Sequence, residues 1–163
     1  MKFFRSILLL ISLVSIPITA IDKQAHIDGK FFPKLSDYRF FKDLTNQIPI
    51  DEVLPYQLQS ELFSDYTYKQ RFVYVPPAMK VGYEKNKVFM FPVGSVLIKT
   101  FSYQNTMSEL TPQLLETRLL IHSEGGWKAV SYIWNEDQSE AYLSLVGGTI
   151  QTSFSDEDGN IRS

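Results

Sequence analysis

A chain of 163 residues with 44% apolar side chains is long enough for a single domain with its own core. Its formal net charge of −2 argues against nucleic-acid binding, which rests on neutralising phosphates. With no cysteine, the chain itself cannot hold disulfides, thiolate metal sites, a cysteine nucleophile or covalent c-type haem, whose attachment needs Cys-x-x-Cys-His.

The N-terminus carries Lys2 and Arg5, then an apolar run from Ile7 to Ile16 that Pro17 ends, then Ala20. A charged start, an apolar centre and a small final residue predict a secretory signal peptide over residues 1–20, with the mature chain starting at Ile21. The run is too short for a membrane span, which takes about 20 apolar residues. Ile18 is bulky for a small-x-small cleavage site, so an uncleaved signal anchor is the alternative. The expected location is the periplasm or the exterior, with no stable membrane span after cleavage.

Residues 21–56 read as an N-terminal arm that wraps over the domain, a polar linker to about residue 35 and then a short helix over Ser36–Lys42 with Ser36 as N-cap. Phe31, Phe32, Tyr38, Phe40 and Phe41 are its expected docking points, and Pro49 and Pro55 break its later part. Residues 57–154 form the β-rich domain. Its predicted strands are 71–75, 80–83, 88–91, 96–101, 115–122, 127–134, 141–145 and 149–154, short β-branched and aromatic runs punctuated by turns. Ser123–Gly126 and Gly147–Gly148 read as hairpin turns, and a second short helix is expected at Pro112–Leu115. Residues 155–163 are a polar tail. The expected fold class is all-β, a mainly antiparallel sandwich or barrel with a partly helical arm.

Period-two geometry puts Glu116, Arg118, Leu120 and His122 on one face of a strand. A carboxylate, a guanidinium and an imidazole together can make an anion or acid/base site. They can equally make a structural cross-strand charge cluster, with Lys99 as a further partner. Trp127 and Trp134, seven positions apart, face opposite sides, so at most one belongs to the main core. The other is covered by the arm or belongs to a binding surface. His26 and His122 are the two histidines, and no ligand spacing links them into a metal site. The polar loop Asn135–Glu140 lacks the glycine of an EF-hand calcium loop. No nucleophile elbow or phosphate loop is visible.

Four segments carry a resemblance: LSDYRFF (35–41), LPYQLQSELFSDYTYKQRFVYVP (54–76), FPVGSVLIKTF (91–101) and LLETRLLIHSEGGWKAVSYIWNEDQSEAYL (114–143). In this order they resemble a family of exported bacterial proteins of unknown function. Members of that family often continue into a Cys-x-x-Cys-His segment. Some are described as diheme c-type cytochromes, and some are joined to quinoprotein-like sugar dehydrogenase domains. The resemblance implies haem c on a downstream segment or on a partner, because this sequence holds no cofactor site of its own. It implies no catalytic residue. The expected role is an accessory or interaction domain, without catalysis of its own, associated with c-type cytochrome electron transfer. Its partner would be a c-type cytochrome or a periplasmic dehydrogenase. The alternative is a sugar-binding β-sandwich that uses exposed aromatics beside Lys99, Glu116 and Arg118; an enzyme with a hidden site is a third reading.

Overall fold

The computed structural model describes residues 20–60, 67–103, 112–146, 154–155 and 161–162. The signal peptide expected over residues 1–20 lies, apart from Ala20, outside the described residues, as do the expected Gly147–Gly148 turn and most of the strand expected at 149–154.

The chain is predominantly antiparallel sheet with little helix. A six-stranded meander contains β3 (Val53–Pro55), β4 (Tyr68–Tyr74), β5 (Val96–Tyr103), β6 (Gln113–Ser123), β7 (Gly126–Trp134) and β8 (Ala141–Ser144), paired in sequence order. Ahead of it come α1 (Lys23–Asp28), a 3-10 turn (Leu35–Tyr38) and the two-stranded ribbon of β1 (Phe41–Asp43) and β2 (Ile48–Pro49). β9 (Phe154–Ser155) and β10 (Ile161–Arg162) pair with each other.

Strict alternation builds the core. Val96, Ile98, Thr100 and Ser102 of β5 are buried while the residues between them are partly exposed. The inner face also carries Phe72, Tyr74, Leu119, Ile121, Val130, Tyr132, Trp134 and Ala141. The layer over it is the arm: Leu35, Tyr38 and Phe40 join the core, and Phe31, Phe32 and Phe41 pack against it. Each fully buried large apolar side chain contributes about 1.5–3 kcal/mol. The arm is therefore part of the core and not an appendage.

Polar groups in this core are matched in chains. Tyr38 and Tyr132 share a hydroxyl hydrogen bond of 2.9 Å, Tyr132 donates to the Phe32 carbonyl, and the Phe32 amide donates to Tyr38. Thr100 donates to the Gln47 side chain at 2.6 Å and shares a 2.8 Å hydrogen bond with Thr117, which also accepts from the Trp134 indole. At the β8 edge, Ser36 donates through its amide and hydroxyl to Glu140, and the Leu143 amide donates to the Pro33 carbonyl. The arm thereby covers an edge that would otherwise offer unpaired backbone groups.

Several expected elements differ. Gln113–Leu115 is strand and not helix: Leu114 pairs with Ser102, Leu115 is the extra residue of a bulge, and the Gln138 side chain bonds both the amide and the carbonyl of Leu114. The stretches 80–83 and 88–91 are not strands. They meet only at a Gly82–Met90 bridge, because their side chains have no core to face. Within the stretch expected to be a polar linker lies a helix, α1, capped by Asp22, whose carboxylate accepts from the Ala25 amide, and closed by Gly29 in the left-handed region at φ 65°. The helical turn expected at Ser36 begins at Leu35, with Lys34 in the capping position.

Candidate functional site

The outer face of the meander is built in rows by register. One row is apolar and runs Leu54, Val73, Leu97, Leu120, Ala129. The next holds Arg71, Lys99, Arg118, Ser131 and Ser144. The third holds Lys69, Phe101, Glu116, Ile133 and Tyr142. In this setting Lys99, Glu116 and Arg118 come together around one ring: the Lys99 ammonium lies 4.4 Å and the Arg118 guanidinium 4.8 Å from the Phe101 centroid. Arg118 grips Glu116 with two hydrogen bonds, of 2.9 and 2.8 Å.

Partial burial alone would push the Glu116 carboxyl up. The hydrogen bonds from Arg118 and Ser131, with the charges of Arg118 and Lys99, outweigh it and hold the group below the usual carboxylate value. Contact with Glu116 likewise raises Arg118. Such a carboxylate stays ionised and is already bonded, so it is a poor general base. Beside it a shallow cleft of about 170 Å³ is lined by Arg118, Ala129, Val130, Ser131, Ser144 and Leu145. Pockets that enclose drug-sized ligands run to about 300–1,000 Å³, so the cleft fits a side chain of a docked partner better than an enclosed substrate.

His122 and Trp127 lie on the same face at one end of the sheet, paired across β6 and β7 and stacked at 4.5 Å with an interplanar angle of 11°. His122 Nδ1 bonds the Phe91 carbonyl at 2.9 Å, and Phe91 meets Trp127 edge-on at 6.1 Å. Trp127 is 42% exposed. Trp134 is separated from all of this: it is buried on the inner face, its indole bonded to Thr117. The six candidates thus divide into a charged group (Lys99, Glu116, Arg118), an aromatic pair (His122, Trp127) and a core residue (Trp134).

Sequence reasoning passed over Phe101, which lies against both Lys99 and Arg118, and Phe91, which meets both His122 and Trp127. Phe101 was legible as the residue two along from Lys99 on the same strand face, once β5 is aligned with β6. Among the described residues no three His, Asp or Glu side chains converge as metal ligands. Among the described residues no helix is long and apolar enough to cross a membrane. No protein-family model, curated protein or solved structure matches this chain.

Proposed function

We propose that the chain is an exported interaction domain, without catalysis of its own, that docks a protein partner on the outer face of its six-stranded sheet. The observation that carries this reading is the composition of that face. An apolar row through Leu97 and Leu120 lies directly against a row containing Lys99 and Arg118, with Phe101 between the two cations. Apolar centre, aromatic anchor and arginine are the residue types that dominate protein interfaces. The charged group is tied up in contacts that hold position, which suits recognition better than proton transfer.

The partner class comes from the sequence resemblance and is a c-type cytochrome or a dehydrogenase that delivers electrons to one. The test passes the envelope fraction of the source cell over the immobilised chain and stains the retained proteins for covalent haem. A haem protein held by the wild type and released by Leu120→Asp supports the reading. Failure to retain any haem protein, or retention indifferent to Leu120→Asp, defeats it.

The sugar-binding alternative has one observation in its favour, the exposed Trp127 ring stacked on His122. An aromatic face of this kind can stack on a pyranose ring. Isothermal titration with neutral oligosaccharides decides it: heat lost on Trp127→Ala would move the site to this end of the sheet.

A further inference from the structure

Between β4 and β5 the chain leaves the sheet for an excursion over residues 76–93. It is held in shape by few contacts. Gly82 and Met90 exchange hydrogen bonds of 2.9 and 3.0 Å, and a turn closes from the Lys87 amide to the Glu84 carbonyl. At its base the excursion is fixed by Phe91, through the His122 contact and the edge of Trp127.

What it presents to solvent is unusual for an exposed loop. Val88 is 86%, Tyr83 72% and Phe89 59% exposed, and Met79 and Met90 are exposed as well. Tyr83, Phe89, Phe91 and Trp127 form a continuous series of ring contacts at 5.9, 6.3 and 6.1 Å, leading from the excursion back to the sheet. Interspersed with these apolar groups are Lys80, Lys85 and Lys87 against the single acid Glu84, which pairs with Lys87. The excursion therefore has a net charge of +2 within a chain whose formal net charge is −2. Large apolar side chains projecting singly from a narrow loop, aromatic rings behind them and lysines around them match the demands of a membrane interface: an apolar acyl region, a headgroup layer that favours Trp and Tyr, and negative surface charge. A protein interface core would instead be depleted of lysine.

We infer that the excursion over residues 76–93 is a membrane-contact loop that inserts Val88 and Phe89 into the surface of an anionic bilayer, with Lys80, Lys85 and Lys87 against the lipid headgroups and Trp127 at the headgroup level. This rests on the loop and not on the partner reading above. Glu124, on the β6–β7 turn at the same end of the sheet, sets the limit of approach, because like charge there opposes the headgroups.

The test is made on the full chain with vesicles of phosphatidylcholine alone and of phosphatidylcholine and phosphatidylglycerol in equal amounts. Since the apolar leader segment would itself enter lipid, the readout is local. Trp127 is exposed and Trp134 buried, so vesicle-induced changes in tryptophan emission report on the loop. The expected result is a blue shift and protection from acrylamide quenching with the anionic vesicles, much reduced with phosphatidylcholine alone and reversed by high salt. Val88→Ser with Phe89→Ser should abolish the shift. Lys85→Gln with Lys87→Gln should raise the vesicle concentration needed by about 25-fold, at roughly fivefold per lysine. Both double variants alter exposed side chains and should melt like the wild type. An unchanged Trp127 emission with anionic vesicles overturns the inference, as does a shift that survives Val88→Ser with Phe89→Ser. Leu120→Asp, on the partner face, should leave the shift intact, which separates this result from the fate of the docking proposal.

Discussion

The two faces of the central sheet use the same strands for opposite ends. On β6, Thr117, Leu119 and Ile121 are buried beneath the arm, while Glu116, Arg118, Leu120 and His122 alternate with them on the other side. Inside, every hydroxyl of the Tyr38–Tyr132 and Thr100–Thr117 pairs has a partner, and aromatic rings close the gaps. Outside, Arg118 grips Glu116 along one strand, Lys99 and Arg118 lie over Phe101, and Val73, Leu97 and Leu120 are left half-covered. The inner face binds the chain's own N-terminal arm; the outer face has the same mixture of apolar rows and matched polar groups, without an equivalent layer among the described residues. This likeness in composition, together with the difference in coverage, is why the outer face reads as a docking surface.

The sharpest way to break the comparison is to truncate an aromatic on each side. Phe40 is fully buried, stacked on Tyr38 at 5.3 Å and tilted against His26 at 5.4 Å. Phe40→Ala should cost about 3–5 kcal/mol, enough to unfold a marginal domain. Phe101→Ala, which removes a half-buried ring and two cation contacts, should cost about 1 kcal/mol. Chemical denaturation of the two variants checks this. Equal losses would mean that the outer face is as much a part of the core as the inner.

How far these faces could be read in the sequence follows from the physics of each. Strand alternation fixed β4 to β8 closely, because one buried side per strand imposes a period of two. The same alternation placed Trp127 and Trp134 on opposite faces. The arm's aromatics were legible as docking points, but its helix was not. Only Ala25 and His26 of α1 are buried, so six residues give too short a stretch for apolar periodicity to show. The excursion misled because Val88, Phe89 and Tyr83 are strand-forming residues, and nothing local says that they have no sheet to join. The charged group was visible as residue types on one strand, whereas Phe101, which holds Lys99 and Arg118 together, emerges only from the register of β5 against β6.

A second contrast concerns the two histidines. His122 sits at the surface with a carbonyl partner and a stacked indole. His26 is completely buried among Tyr38, Phe40 and Tyr74, and neither ring nitrogen makes a full hydrogen bond. Desolvation lowers its pKa from 6.5 to about 4, with Asp22 and the Gly94 backbone opposing the effect only in part. The sign follows from linkage. Above pH 6.5 the ring is neutral folded or unfolded, and its packing is fully favourable. As the pH falls from 6.5 towards 4, the unfolded chain takes up a proton that the folded chain refuses, so stability drops with acid. The loss should approach about 3 kcal/mol. Denaturation midpoints measured across this window in the wild type and in His26→Phe check it. A wild type as stable at pH 4.5 as at pH 7, with no change of slope in His26→Phe, would show that the arm admits the charged ring.

The smallest expected effect is on the outer face, and it tests whether the charged group is structural. Arg118 is well exposed and bonded to Glu116 on its own strand, two residues away, so removing the carboxylate strands no buried cation. Glu116→Gln should therefore destabilise the domain by less than about 1 kcal/mol, the range of exposed ion pairs. Its pH dependence has the same sign as that of His26 and a lower window. A carboxylate held below its usual value contributes stability above about pH 4.5 and gives it up as the pH falls through the lowered value. Glu116→Gln should thus leave the slope between pH 6.5 and 4.5 as it is in the wild type, and flatten only the limb below. If instead the variant lost several kcal/mol at pH 7, the Arg118–Glu116 contact would be holding the sheet together. The outer face would then owe its charges to the fold, and its case as a docking surface would rest on Leu97, Leu120 and Phe101 alone.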